Sequence, residues 1–127
     1  MGGYSLRYNV SGNSNTAVGN SALYNTTGSS NTALGNSTGL NITTGSNNII
    51  IGASVGAPNP SGSQQLNLGN VLFGTGIYNG NTQSGVPVAT GKIGIGTTTP
   101  WRTLSVAGTS DLGTNALAGT FTATSTE

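Results

Sequence analysis

A unit of about sixteen residues that recurs along the first half of the chain is the feature that most constrains its fold. One short motif marks the unit, and its three copies read NTAVG (15–19), NTALG (31–35) and NIIIG (48–52). The glycines Gly12, Gly28 and Gly45 recur at the same intervals. A fixed period of this kind is typical of solenoids, in which each repeat stacks on the next.

Apolar and β-branched residues alternate with polar ones inside each unit, and a period of two indicates β-strands. Each unit holds two such stretches, joined by turns rich in Gly, Asn and Ser. The sequence therefore predicts an all-β fold, a β-solenoid or β-roll whose coils of about sixteen residues contain two strands each. The side chains expected to stack as its core are Tyr8, Val18, Tyr24, Leu34, Leu40, Ile49 and Ile51.

The small and aliphatic residues between those core positions, Ala17, Ala33 and Ile50, are predicted to point outward in one row. A solvated sheet face normally carries polar or charged side chains, so an apolar outer row indicates a second buried surface. We expect this row to be an interface between copies of the chain, arranged with closed cyclic symmetry. The alternative is an ordinary two-layer core within a single chain.

The repeat is predicted to end at residue 56, and two further segments follow. Residues 57–90 are rich in Gly, Pro and Ser and are expected to form a loop-rich β transition with a strand over 65–73. Residues 91–127 are expected to form a β stalk segment, with strands over 92–97 and 102–107. The alternating pattern runs to the last residue, which suggests a piece of a longer chain.

The composition excludes several classes of function. Charged residues make up 4% of the chain, and three cations are too few for the phosphate contacts of a nucleic-acid-binding protein. The chain has no His and no Cys, so it lacks the usual bases, thiol nucleophiles and zinc ligands, and we expect neither an enzyme nor a cofactor. No apolar run approaches the length of a membrane-spanning helix, so we expect no membrane insertion.

Several stretches resemble known fibre proteins. The sequences GNSNTAVGNSALYNTTGSSNTALGNS, GSNNIIIGASVG, QLNLGNVLFGTG and GKIGIGTTTPWRTLSVAGT resemble stalk regions of phage tail fibres and bacterial surface proteins of the endosialidase-type intramolecular-chaperone family. The NTAVG-type units are also similar to the head repeats of trimeric autotransporter adhesins. The resemblance implies a homotrimeric, extracellular, β-rich fibre on a cell surface or virion. The resemblance implies no catalytic residue for this chain, because the stretches that carry it do not include the family's self-cleaving chaperone domain.

The sequence thus predicts a structural segment of a trimeric fibre or adhesin that serves in attachment or as a spacer. Two alternatives stay open, a module that binds host-surface glycans and a subunit that polymerises end to end into a filament. Trp101 and Arg102 are the candidate ligand contacts, since an aromatic ring beside a guanidinium can stack on a sugar or a cation. Anchoring of a corner after Pro100 is the structural alternative for the same pair.

Overall fold

The computed structural model describes residues 2–77 and 90–108, and this part of the chain is all β, with no helix. Its strands form a single sheet in the order β1-β2-β3-β4-β5-β6-β7. The strands are short, and their bounds are β1 Thr16–Val18, β2 Thr32–Leu34, β3 Ile49–Ile51, β4 Gln65–Leu68, β5 Leu72–Thr75, β6 Lys92–Ile95 and β7 Leu104–Val106. The all-β prediction is confirmed.

The first four strands stack in parallel as the rungs of a β-solenoid of about three turns. Thr16 pairs with Thr32, Thr32 with Ile49 and Ile49 with Leu66, so each strand lies over the equivalent strand of the next coil. The solenoid prediction is therefore confirmed. The parallel stacking extends past residue 56, since β4 joins β3 in the same register.

The prediction of two strands per coil is wrong, because each coil contains one strand. The second predicted strand of each coil is wound into turns over residues such as 21–25 and 37–41. Left-handed backbone at Ser21 (φ 55°) and Leu23 (φ 51°) interrupts the extended conformation that the alternation predicted. The turns still bond from coil to coil, since the N–H of Leu23 donates to the carbonyl of Thr38 at 2.9 Å.

The predicted directions of the strand side chains are also wrong, because they are reversed. The residues predicted to point outward, Ala17, Ala33 and Ile50, are buried inside the solenoid with Leu23 and Ile42. They are covered within one chain and cannot form an interface between chains. The residues predicted as core lie on the outside: Tyr8, Val18, Leu34, Leu40 and Ile49 are exposed, while Tyr24 and Ile51 are half-buried.

The physical reason for the reversal is the size of the interior. A three-residue strand turns one side chain inward, its middle one, as the burial of β1 to β3 shows. The middle residue is Ala in two coils, which leaves room for the larger Leu23 and Ile42 from the turns that follow β1 and β2. The alternating pattern indicates that each strand has two different faces, but it does not indicate which face is buried.

A row of side-chain amides, here called the asparagine ladder (Asn15, Asn31, Asn48 and Gln65), joins the coils where each strand begins. The Oδ1 of each Asn accepts the backbone N–H of the next member at 2.9–3.0 Å. Each Asn Nδ2 donates to a glycine carbonyl in a neighbouring turn, at 2.8–3.1 Å. Asn31, Asn48 and Gln65 are buried, so the ladder satisfies polar groups that water cannot reach.

Beyond the solenoid the strand direction reverses. The strand predicted over 65–73 is a hairpin instead, in which β4 and β5 pair antiparallel across the turn that contains Asn70 (φ 59°). Strand β6 pairs antiparallel with β5, and β7 pairs parallel with β6, which confirms the two later strands with shorter bounds. The predicted stalk segment beyond residue 108 lies outside the described residues, and the division at 56 and 90 stays a prediction.

Candidate interaction surfaces

The outer face of the sheet carries two rows of apolar and threonine side chains, here called the apolar sheet face. Strand register places each residue opposite its equivalent on the next strand. One row is Val18, Leu34, Ile51, Leu68, Leu72, Ile95 and Val106, and the other is Thr16, Thr32, Ile49, Leu66, Gly74, Ile93 and Leu104. The row between them, which includes Ala33, Asn67 and Phe73, is buried on the opposite side.

The apolar sheet face is exposed toward both ends and half-buried between them, at residues such as Ile51, Leu68 and Leu72. Val18 is 44% exposed on β1 at one end, Leu34 is 47% exposed on the adjacent β2, and Leu104 is 61% exposed on β7 at the other end. The sheet has seven strands, and at about 4.8 Å per strand the face is roughly 30 Å long. Apolar surface that is continuous over this length is typical of a site that contacts another protein surface.

A second surface lies on the turns that follow the strands. It is a groove of about 490 Å³, here called the aromatic groove, and it is lined by Tyr4, Arg7, Ser21, Tyr24, Asn25, Ser37 and Leu40. Three successive coils contribute to it, so it runs along the solenoid axis. A neighbouring depression of about 580 Å³ shares Asn25, Ser37 and Leu40 and extends the groove to Asn41, Ser54 and Val55.

The aromatic side chains of the groove contact one another and Arg7. The guanidinium carbon of Arg7 lies 4.9 Å from the ring centre of Tyr4 and 5.9 Å from that of Tyr8. The rings of Tyr8 and Tyr24 meet edge to face with centroids 5.0 Å apart. These contacts hold the Arg7 side chain against aromatic surface at the entrance of the groove.

The same contacts shift the tyrosine pKa values in opposite directions. The pKa of Tyr8 lies below its ordinary value because its hydroxyl is hydrogen-bonded to that of Tyr24 and, next in importance, to Arg7. The pKa of Tyr24 lies above its ordinary value, chiefly because of the same hydrogen bond to Tyr8. Of the two hydroxyls, that of Tyr8 therefore has the lower pKa and is the first to lose its proton as the pH rises.

Arg7 is the only charged residue in the sequence between positions 2 and 77. The two acidic residues of the chain are Asp111 and Glu127, and both lie outside the described part of the structure. The solenoid therefore presents a single positive charge, placed at one end of a polar and aromatic groove.

Trp101 and Arg102, predicted as ligand contacts, lie together at the other end of the molecule. The guanidinium carbon of Arg102 is 4.2 Å from the Trp101 ring centre, and the ring is 72% exposed. The pair lies beside the buried Pro100. The two side chains therefore form a stacked pair on the surface.

Within residues 2–77 and 90–108, no cluster of side chains has the composition of a metal site. The same residues contain no helix of the length and apolarity that crossing a bilayer requires. A scan against protein-family models and searches of curated proteins and of solved structures found no match to the chain.

Reasoning from the sequence missed the aromatic groove. The recurrence of Tyr8 and Tyr24 predicted a stacked structural row, whereas the rings lie on the surface and frame a groove with Tyr4 and Arg7. The signal that could have found it is the position of Arg7, the one charged residue of segment 2–77, which lies between two tyrosines in the sequence YSLRY (4–8).

Proposed function

We propose that the chain is a structural segment of an extracellular homotrimeric fibre or adhesin, on a cell surface or a virion, and that its copies associate through the apolar sheet face. The observation that carries the proposal is the continuous apolar row from Val18 to Val106 on the outside of the sheet, which is exposed toward both ends and half-buried at Ile51, Leu68 and Leu72 between them. The burial of Ala17, Ala33 and Ile50 moves the expected interface from those residues to the rows on either side of them.

The shape of the face supports association about an axis parallel to the solenoid. Exposed aliphatic side chains such as Leu34 and Val106 occupy one side of the sheet, and they would become buried if several copies turned that side toward a common axis. Burial of apolar surface contributes about 25 cal/mol per Å², which makes a face of this length a strong driving force. The resemblance to trimeric fibre proteins favours three copies over two.

The composition supports a location outside the cell. Gly, Thr, Asn and Ser make up more than half of the chain, and the surface is close to neutral. The coil-to-coil hydrogen bonds give the solenoid length and stiffness without disulfides, so the segment suits a spacer in an attachment fibre. In this proposal the protein acts mechanically and carries no catalytic site.

Sedimentation equilibrium of the purified chain tests the proposal. We expect a single species of three times the monomer mass of 12.5 kDa, with the far-ultraviolet signal of β structure. A folded monomer at micromolar concentration would contradict the proposal. Continuous filaments in electron micrographs would favour the alternative of end-to-end polymerisation.

A further inference from the structure

The aromatic groove combines three kinds of chemistry that are useful for one class of ligand. Tyr4, Tyr24 and Leu40 supply apolar surface, Ser21 and Asn25 supply hydroxyl and amide groups, and Arg7 supplies a positive charge. Sugar rings present apolar C–H faces together with a rim of hydroxyl groups, and aromatic side chains commonly pack against such faces. The guanidinium adds a preference for a carboxylate, which it can bind through two parallel hydrogen bonds.

We propose that the aromatic groove binds a linear oligosaccharide that carries carboxylates, such as a polyuronic acid, with the chain of sugars lying along the solenoid axis. The carboxylate of one sugar pairs with Arg7, and the following sugars lie over Tyr24 and Leu40. This ligand class is more specific than the host-surface glycan that the sequence left open as an alternative, and the site differs from the candidate contacts Trp101 and Arg102.

The repeat of the coils supports a ligand that is itself a repeating chain. Ser21, Ser37 and Ser54 occupy equivalent corners of successive coils, each with left-handed backbone. The backbone N–H of Ser37 donates to the carbonyl of Asn20, and that of Ser54 donates to the carbonyl of Asn36, both at 2.8 Å. Each acceptor lies in the preceding coil, at the equivalent position of that coil. Successive coils are about 4.8 Å apart, which is close to the length of one sugar residue in an extended chain.

The charge distribution supports an anionic ligand. Arg7 is held by aromatic rings, and neither of the described ranges, 2–77 and 90–108, contains an acidic side chain that could pair with it. An exposed guanidinium already ordered against Tyr4 and Tyr8 loses little side-chain entropy when it pairs with an anion. A single charge gives modest affinity for one groove, and several grooves in one oligomer would raise the overall affinity by multivalency.

The inference does not depend on the proposed trimer. The groove is formed by the turns of one chain, whereas association is assigned to the apolar sheet face, so each can fail without the other. A ligand-binding monomer would contradict the proposed function alone, and a trimer without binding would contradict this inference alone.

Isothermal titration calorimetry of the full chain with an oligogalacturonate hexamer tests the inference. Maltohexaose serves as the neutral sugar and a glutamate hexapeptide as the acidic molecule that is not a sugar. We expect saturable binding of oligogalacturonate and at least tenfold weaker binding of the other two. Equal binding of maltohexaose would overturn the role of the carboxylate, equal binding of the peptide would overturn the sugar class, and no saturable binding of oligogalacturonate would overturn the site.

Two matched variants locate the binding. Arg7→Gln should weaken oligogalacturonate binding at least tenfold, because a charge-assisted pair is lost. Arg102 also stacks on an aromatic ring but lies outside the groove, so Arg102→Gln should leave binding unchanged. The reverse result would place the site at Trp101 and overturn the inference.

A measurement on the unmodified protein makes the test independent of how the variants fold. In ¹⁵N-labelled protein, the side-chain amide of Asn25 should shift on addition of oligogalacturonate, while that of Asn13, which lies outside the groove lining, should not. Shifts confined to residues near Trp101 would contradict the proposed site.

Discussion

The backbone N–H of Asn48 donates to the side-chain Oδ1 of Asn31, one coil earlier in the chain, at 3.0 Å. The Nδ2 of Asn31 donates in turn to the carbonyl of Gly45 at 2.9 Å, and Asn31 is fully buried. Asn31→Ala leaves a buried donor and a buried acceptor without partners, at about 1–3 kcal/mol each. We expect the free energy of unfolding to fall by about 2–4 kcal/mol, measured by urea titration with circular dichroism.

Asn13→Ala is the matched control for the asparagine ladder. Asn13 is exposed, and its amide donates to the carbonyl of Ser11 at 3.3 Å in the same turn. We expect a loss of less than about 0.5 kcal/mol, as for other surface substitutions. Equal losses for the two variants would mean that the ladder contributes no more than a solvated turn does.

Close approach of successive coils makes Gly45 intolerant of a side chain. A Cβ at this position would meet the carbonyl oxygen of Gly62 in the next coil, and its other near neighbour is the Asn48 amide at 2.9 Å. Gly45→Ala forces the backbones of two coils apart, which should destabilise the fold by about 3 kcal/mol. Thermal unfolding of the variant and the unmodified chain measures the effect.

Gly69→Ala separates this steric effect from backbone strain. Gly69 has left-handed backbone (φ 61°), and a Cβ there would meet nothing within 4 Å. The expected cost is the strain alone, about 1–2 kcal/mol. A larger loss at Gly69 than at Gly45 would show that the coils can separate more easily than the structure indicates.

Leu34→Asn tests the apolar sheet face. Leu34 is 47% exposed on β2, so a polar side chain there leaves the fold of one chain intact but places an amide in the proposed interface. We expect the dissociation constant of the oligomer to rise at least tenfold, measured by sedimentation equilibrium at several concentrations.

Leu40→Asn provides the comparison for that variant. Leu40 is 41% exposed, close to the value for Leu34, but it lies in the aromatic groove and not on the sheet. Its substitution should leave the oligomer mass unchanged and weaken oligogalacturonate binding. Dissociation caused by Leu40→Asn, with none caused by Leu34→Asn, would move the interface to the groove.

The tyrosine pair gives the groove a signature in a pH titration. Tyr24→Phe keeps the ring and removes the hydroxyl that chiefly lowers the pKa of Tyr8, so the pKa of Tyr8 should rise toward its ordinary value. NMR titration of labelled tyrosine rings measures the change. Tyr4→Phe, which removes a hydroxyl that does not affect Tyr8, should leave the Tyr8 titration in place, and an unchanged Tyr8 in Tyr24→Phe would contradict the hydrogen bond.

The sequence predicted the solenoid because a repeat in which Gly28 and Gly45 recur together with the NTAVG-type motif leaves few other folds. It did not predict the direction of the strand side chains. In a strand of three residues both outer positions can be aliphatic, and the volume available inside decides that Ala33 and not Leu34 faces inward. That volume depends on Leu23 and Ile42, which come from turns about ten residues away along the chain, so no local pattern contains it.

Left-handed backbone explains why the second strand of each coil was wrongly predicted. Alternation of Ala22 and Tyr24 looks like a strand, but Leu23 between them adopts φ 51°, which bulky residues rarely do. Its side chain is fully buried, and this burial offsets the local strain. The groove went unpredicted for a related reason, since these turns bring Tyr4, Tyr24 and Leu40 from separate coils to one surface.

The hairpin between β4 and β5 limits how molecules of this chain can join. The outer edge of β4 is occupied by an antiparallel strand of the same chain, so another copy cannot add a parallel coil there. Strand β5 covers the edge of β4, in the way that covered edge strands prevent open-ended aggregation. The parallel stack therefore ends at β4 within the chain itself, and a second copy cannot lengthen the solenoid from that strand.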